Sequence, residues 1–212
     1  MTTAREDILA RLRATGRDAA HPTPWQSRRR FDDLATRFAE ALSAVKGEVI
    51  RADGLDEAWE RLSDLLRDLG ARRVVANAEP PLNAIDLAAR WPALQWHIVG
   101  KTPGDLRAFC ATADVGLSGG VAALAETGSV VIASGSGQSR LATLLPPVHV
   151  TLVPTSHLTA DIFTWAVGRQ GNMPAALTII SGPSKTADIE QTLAIGVHGP
   201  GRFIVILYAE AA

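Results

Sequence analysis

Apolar positions along this chain recur in two periods. The first 45 residues carry the helical one. Thr3 is placed to cap a helix whose apolar stripe is Ile8, Leu9 and Leu12, with Glu6 and Asp7 in its opening turn. HPTPW (21–25) breaks the pattern with two prolines, and SRRRFDDLATRFAEALSAVKG (27–47) resumes it, with Phe31, Leu34, Phe38, Leu42 and Val45 at spacings of three and four. From residue 46 short apolar runs alternate with amphipathic stretches. EVIRA (48–52), ARRVVAN (71–77), QWHIVG (95–100), HVTLVP (149–154), ALTIIS (176–181) and RFIVILY (202–208) read as strands. Residues 55–70, 80–92 and 156–170 read as helices, and TPGDLRAFCATA (102–113) as a short one. VAALAETGSVVIAS (121–134) reads as two apolar runs around Thr127-Gly128, although VAALAE alone also suits a helix. This grammar predicts an α/β fold, a mainly parallel central sheet flanked by helices, spanning 46–212 behind an N-terminal helical arm over 1–45.

Composition narrows the function. With 21 Lys+Arg against 22 Asp+Glu the net charge is -1, which gives no field to attract nucleic acid or anionic lipid. The SRRR run at 27–30 is read as a solvated helix start. Cys110 is the single cysteine, so the chain forms no internal disulfide and no cysteine-ligated zinc or iron–sulfur site of its own. No spacing among the five histidines makes a metal site. The first residues lack an apolar signal core and no later run approaches the ~20 residues that span a bilayer, so a cytoplasmic protein without membrane insertion is expected.

In parallel α/β sheets ligands sit beyond the carboxyl ends of the strands, which directs attention to the loops. Ser118, Gly119 and Gly120 follow one predicted strand. Glu126 stands among apolar residues beside Thr127 and Gly128; burial would raise its pKa and suit it to base or nucleophile work, whereas a cationic partner would make it structural. SGSGQSRLATLLPP (134–147) offers glycine amides and Arg140 to an anion, but matches neither a P-loop nor a dinucleotide fingerprint. In SGPSKTADIE (181–190), Gly182, Ser184, Lys185 and Thr186 read as the mouth of a capped helix open to an anion, with Asp188 and Glu190 already complementing its dipole. His198, in the glycine loop 196–201, is an acid/base candidate or a loop-fixing hydrogen-bonder. His149 and His157 are placed at a strand edge and a helix start.

The order AETGS, RLATLLPPVHV, GPSKTADIE, GVHGP resembles the lactate-utilisation (LUD) domain family, of the LutC type, over about residues 46–208, with Ser129 where many relatives have Thr. The resemblance implies a fold similar to the sugar-phosphate isomerase and CoA-transferase group. It also implies a role in oxidising L-lactate to pyruvate, as one of three components whose partners carry iron–sulfur clusters while this chain binds no cofactor. An accessory or substrate-handling subunit is the expectation, its N-terminal helices docking on a partner or a second copy. By analogy with the transferases, Glu126 is the catalytic candidate. The alternative is a stand-alone enzyme or binding protein for a small anion (hydroxy acid, sugar phosphate or acyl thioester) that uses Glu126, with 118–120, 134–140 and 182–186 as an anion cradle.

Overall fold

The computed structural model describes residues 3–15, 25–169, 173–187 and 193–210. In chain order, α1 (Ala4–Ala14) and α2 (Leu34–Ala44) precede β1 (Glu48–Ala52), α3 (Leu55–Asp68), β2 (Arg73–Ala76), α4 (Leu87–Arg90) and β3 (Gln95–Ile98). Then come α5 (Leu106–Cys110), β4 (Val115–Gly119), β5 (Ala122–Leu124), β6 (Ser129–Ser134), α6 (Arg140–Leu144) and β7 (Val148–Pro154). The chain closes with β8 (Leu158–Thr159), α7 (Ile162–Gly168), β9 (Ala176–Ile180), β10 (Lys185–Ala187), β11 (Leu193–Ile195) and β12 (Arg202–Tyr208). Six strands form a parallel sheet in the order β1-β12-β7-β4-β2-β3, as the sequence predicts. A second sheet, β8-β5-β6-β9, grows from the β5–β6 hairpin, so the two apolar runs around Thr127-Gly128 are strands and not a helix.

The strands of a sheet covered on both sides must be apolar on both sides. β12 meets that demand: Ile204 and Ile206 face α3's Trp59 and Leu62, while Phe203, Val205 and Leu207 join α2's Phe38 and Leu42 on the other face. Phe38 and Leu42 are wholly buried, each worth about 1.5–3 kcal/mol. A division at residue 46 therefore does not separate two packing units, because α2 shares the core of the sheet. α1 does have the expected capping box from Thr3 and Glu6, but it buries nothing among the described residues; Ile8 and Leu12 are exposed.

Several expected helices are shorter than their periodicity. Asp33 caps α2, leaving 27–30 outside any helix. Residues 80–92 split into a 3-10 turn at Leu82–Ala84 and the four-residue α4, and a 3-10 turn at Thr155–His157 followed by β8 takes the front of the segment 156–170. The largest departure is at 184–195. Lys185–Ala187 is a strand paired antiparallel with Leu193–Ile195, not the start of a capped helix. Ser184 is already committed as a strand residue would be: its N–H donates to Pro200 O (2.8 Å) and its carbonyl accepts from Gly196 N (2.9 Å). Asp188 and Glu190, expected in the first turn of that helix, lie outside the described residues.

Candidate functional site

At the carboxyl ends of β2 and β4 three loops close over a buried carboxylate. Glu79 accepts on one oxygen from Gly119 N (2.9 Å) and Asn77 Nδ2 (3.2 Å), and on the other from Gln138 Nε2 (2.6 Å). Asn77 Oδ1 accepts from Ser139 N (2.9 Å), and Ala78 N donates to Gly137 O (2.8 Å), which ties in the loop after β6. Gly119 has no alternative: a Cβ there would lie 2.2 Å from Pro80 O. Burial pushes the Glu79 carboxyl up from its ordinary value, and the three neutral donors only partly oppose this.

One residue further on, Gly120 O lies 2.7 Å from His157 Nδ1. A carbonyl only accepts, so Nδ1 carries a proton and donates it to Gly120 O. His157 lines a cleft of about 290 Å³ with Val121, Ser156, Thr164, Trp165 and Arg169. Within the parallel sheet, Ser118 Oγ and His149 Nε2 are 2.8 Å apart in a fully buried pair. Burial holds the His149 imidazole down at about 3, far below its usual 6.5. The unfolded chain protonates this group below about pH 6.5 and the folded chain does not, so His149 draws stability away as pH falls from there towards 3, by up to ~1.4 kcal/mol per pH unit. Denaturant titrations of His149→Phe across pH 3.5–7 are expected to show this acid limb flattened.

The residues singled out in the sequence fall in four places. Ser118, Gly119 and Gly120 belong to the carboxyl-end network just described. Arg140 is exposed at the start of α6, which Ser139 caps. Glu126 is ion-paired with Arg29, its side chain 26% exposed, and its carbonyl accepts from Arg37 Nη2 (3.1 Å). Thr127 Oγ1 leads a hydroxyl chain through Ser129 to Ser181 (2.7 and 2.6 Å), and Gly128 turns the hairpin with φ 64. Gly182, Ser184, Lys185, Thr186 and His198 stand at the other end of the parallel sheet. Gly182 packs on Val45 ahead of β1, and Gly201 N donates to Pro147 O (2.9 Å) ahead of β7 and β12. There Lys185 Nζ donates to Val45 O (2.5 Å), Thr186 pairs with Ala194, and His198 lines a separate cleft of about 370 Å³ with Leu144, Leu145 and Pro147. The loops 118–120 and 182–186 therefore do not share one anion cradle, since one follows the strands and the other precedes them. Glu79, Asn77, Gln138 and His157 escaped the sequence reading. The rule that selects 118–120, a loop at the end of a strand, also selects Asn77-Ala78-Glu79 directly after β2; the helical period over 156–170 masks His157.

A family model for the LUD domain matches residues 35–208. The chain belongs to the LUD domain family. The LUD match begins inside α2, in keeping with that helix's place in the core. A protein of Exiguobacterium sp. described as lactate utilization protein C is 37% identical, the match covering 97% of this chain and 96% of that protein. Proteins described as lactate utilization protein C from Halalkalibacterium halodurans and lactate utilization protein C 1 from Bacillus mycoides are 30% and 36% identical, each match covering 83% of this chain and 79% of the relative. The solved structure of a DUF162 family protein from Deinococcus radiodurans shares the fold, with a TM-score of 0.56 at 20% identity over 82% of this chain and 96% of that one.

Proposed function

We propose that this LUD protein serves lactate utilization as an accessory or substrate-handling subunit of a system that oxidises L-lactate to pyruvate in the cytoplasm. The observation that carries the reading is the end-to-end likeness to a protein described as lactate utilization protein C. Converting the hydroxy acid to the keto acid releases two electrons and two protons. A chain with one cysteine has no thiolate set for a cysteine-ligated cluster, and burial pushes the Cys110 thiol up to about 11, away from the ligating thiolate. The electrons therefore pass to clusters in partner proteins, and this chain binds no cofactor of its own. The exposed Ile8 and Leu12 of α1 offer an apolar stripe to such a partner or to a second copy. The ion pair with Arg29 favours this role over a stand-alone enzyme in which Glu126 is base or nucleophile. Among the described residues no helix is long and apolar enough to cross a membrane.

The test is lactate-dependent reduction of an electron acceptor by the purified chain, by its cluster-bearing partners, and by the two together. Activity is expected only from the combined set. Oxidation by the isolated chain would replace the accessory reading with the enzymatic one, and equal activity of the partners without the chain would remove the lactate role.

A further inference from the structure

We infer that the cleft at the carboxyl ends of β2 and β3 is a binding site for a small aliphatic α-amino acid. Its volume of about 320 Å³ falls within the ~300–1,000 Å³ usual for small-molecule sites, and it lies where a parallel sheet presents ligands. One wall is the segment that follows β2, and the other is the turn that leaves β3 at Ile98 and carries Lys101. Both walls are fixed by backbone hydrogen bonds. Asn83 N donates to Glu79 O (3.0 Å), which fastens the first wall to the residue at the centre of the carboxyl-end network, while Lys101 N and Thr102 N both donate to Ile98 O (3.0 and 2.9 Å). Leu82 and Leu87, 2% and 4% exposed, together with the half-buried Ile85 and Ile98 make the lining apolar, as an aliphatic side chain requires. Two opposite charges interrupt that lining, Asp86 and Lys101. Asp86 commits one oxygen to its own helix, Oδ1 accepting from Ala89 N (3.0 Å); its Oδ2 and Lys101 Nζ have no partner among the described residues. The two do not pair with each other, so the cleft carries a separate positive and negative pole beside an apolar surface. A simple carboxylate would satisfy Lys101 but meet Asp86, and a simple amine the reverse. A zwitterion satisfies both, with its carboxylate towards Lys101, its ammonium towards Asp86 and its alkyl group on the leucines and isoleucines. The inference goes beyond the lactate role and does not rest on it.

Isothermal titration of the full chain with L-valine, isovalerate and isobutylamine tests the site, the last two being valine without its ammonium and without its carboxylate. Asp86→Asn removes the charge but keeps the cap of α4, since asparagine caps as well as aspartate, and Lys101→Met keeps the stem of a side chain that has no partner to lose. Both variants are therefore expected to melt with the wild type. L-Valine is expected to bind the wild type saturably and more tightly than either fragment, and to bind each variant about tenfold more weakly. The two variants lose different preferences: Asp86→Asn no longer favours valine over isovalerate, and Lys101→Met no longer favours it over isobutylamine. No saturable binding of valine, a fragment that binds the wild type as tightly as valine does, or a valine affinity unchanged in either variant would each overturn the site. The lactate role stands or falls separately, on the combined-set oxidation assay.

Discussion

Gly128→Ala is expected to lower the stability of this protein by about 3–5 kcal/mol, read as a shift of the denaturant midpoint with little change in slope. Two costs coincide there. The residue turns the β5–β6 hairpin at φ 64, a conformation L side chains rarely adopt. An added Cβ would also lie 2.2 Å from Leu42 N, 2.5 Å from Leu42 Cα and 2.7 Å from Ala41 C, all backbone of α2 and unable to swing aside. Relief requires moving α2 off the hairpin, which opens the contact of Phe38 and Leu42 with Ala123, Ala125 and Val130. The control is Gly168→Ala. No heavy atom lies within 4 Å of a Cβ at Gly168, and that variant is expected to be as stable as the wild type or slightly more so. The glycine of the AETGS motif is thus explained by the approach of a helix backbone. Glu126 next to it is partly exposed, its carboxylate paired with Arg29 and its carbonyl accepting from Arg37.

What the sequence shows and what it hides follow from the range of the interactions involved. The strands of the parallel sheet are legible because burial on both faces requires continuous Val, Ile and Leu, as in RFIVILY, where alternate residues enter opposite cores. α2 is legible in its period, but its membership of the core is not, since that depends on meeting β12 some 160 residues later in the chain. Over β10 and β11 the sequence predicts a helix, because Ser184 followed by Asp188 and Glu190 imitates a cap and an acidic first turn. The pairing of Lys185 with Ile195 and Thr186 with Ala194 has no local signature that outweighs it. Moving that segment to the amino end of the sheet in turn separates Lys185 and His198 from the Ser118–Gly120 loop. Glu79 was hidden for the same reason: its partners Gly119 and Gln138 are 40 and 59 positions away. A carboxylate after a strand and before two prolines looks like an ordinary loop residue until those partners enclose it.

Glu79→Ala is expected to cost about 3–5 kcal/mol, whereas Glu79→Gln costs about 1 kcal/mol and alters the response to pH. In the alanine variant the Gly119 N–H and the amides of Asn77 and Gln138 lose their common acceptor in a site that is only 4% exposed at Glu79, and each buried donor left unpaired is costly. Glutamine keeps one oxygen for Gly119 N and Asn77, and Gln138 can turn its own amide oxygen towards the new NH₂ group, so the network closes again without charge. The pH response follows from the direction of the shift. Burial raises the folded-state pKa of Glu79 above its unfolded value of about 4.5, so the folded form holds its proton where the unfolded form has released it. The stability this confers is complete below about pH 4.5 and is lost as pH rises through the higher folded value. Between those two points the wild type therefore loses stability with rising pH, and Glu79→Gln, which has no proton to release, does not. This runs opposite to the acid limb of His149, so the two are resolved by measuring Glu79→Gln and His149→Phe separately. A wild type and a Glu79→Gln variant with parallel stability–pH curves above pH 4.5 would show that Glu79 is ionised in the fold at its ordinary pKa, with its three donors outweighing burial.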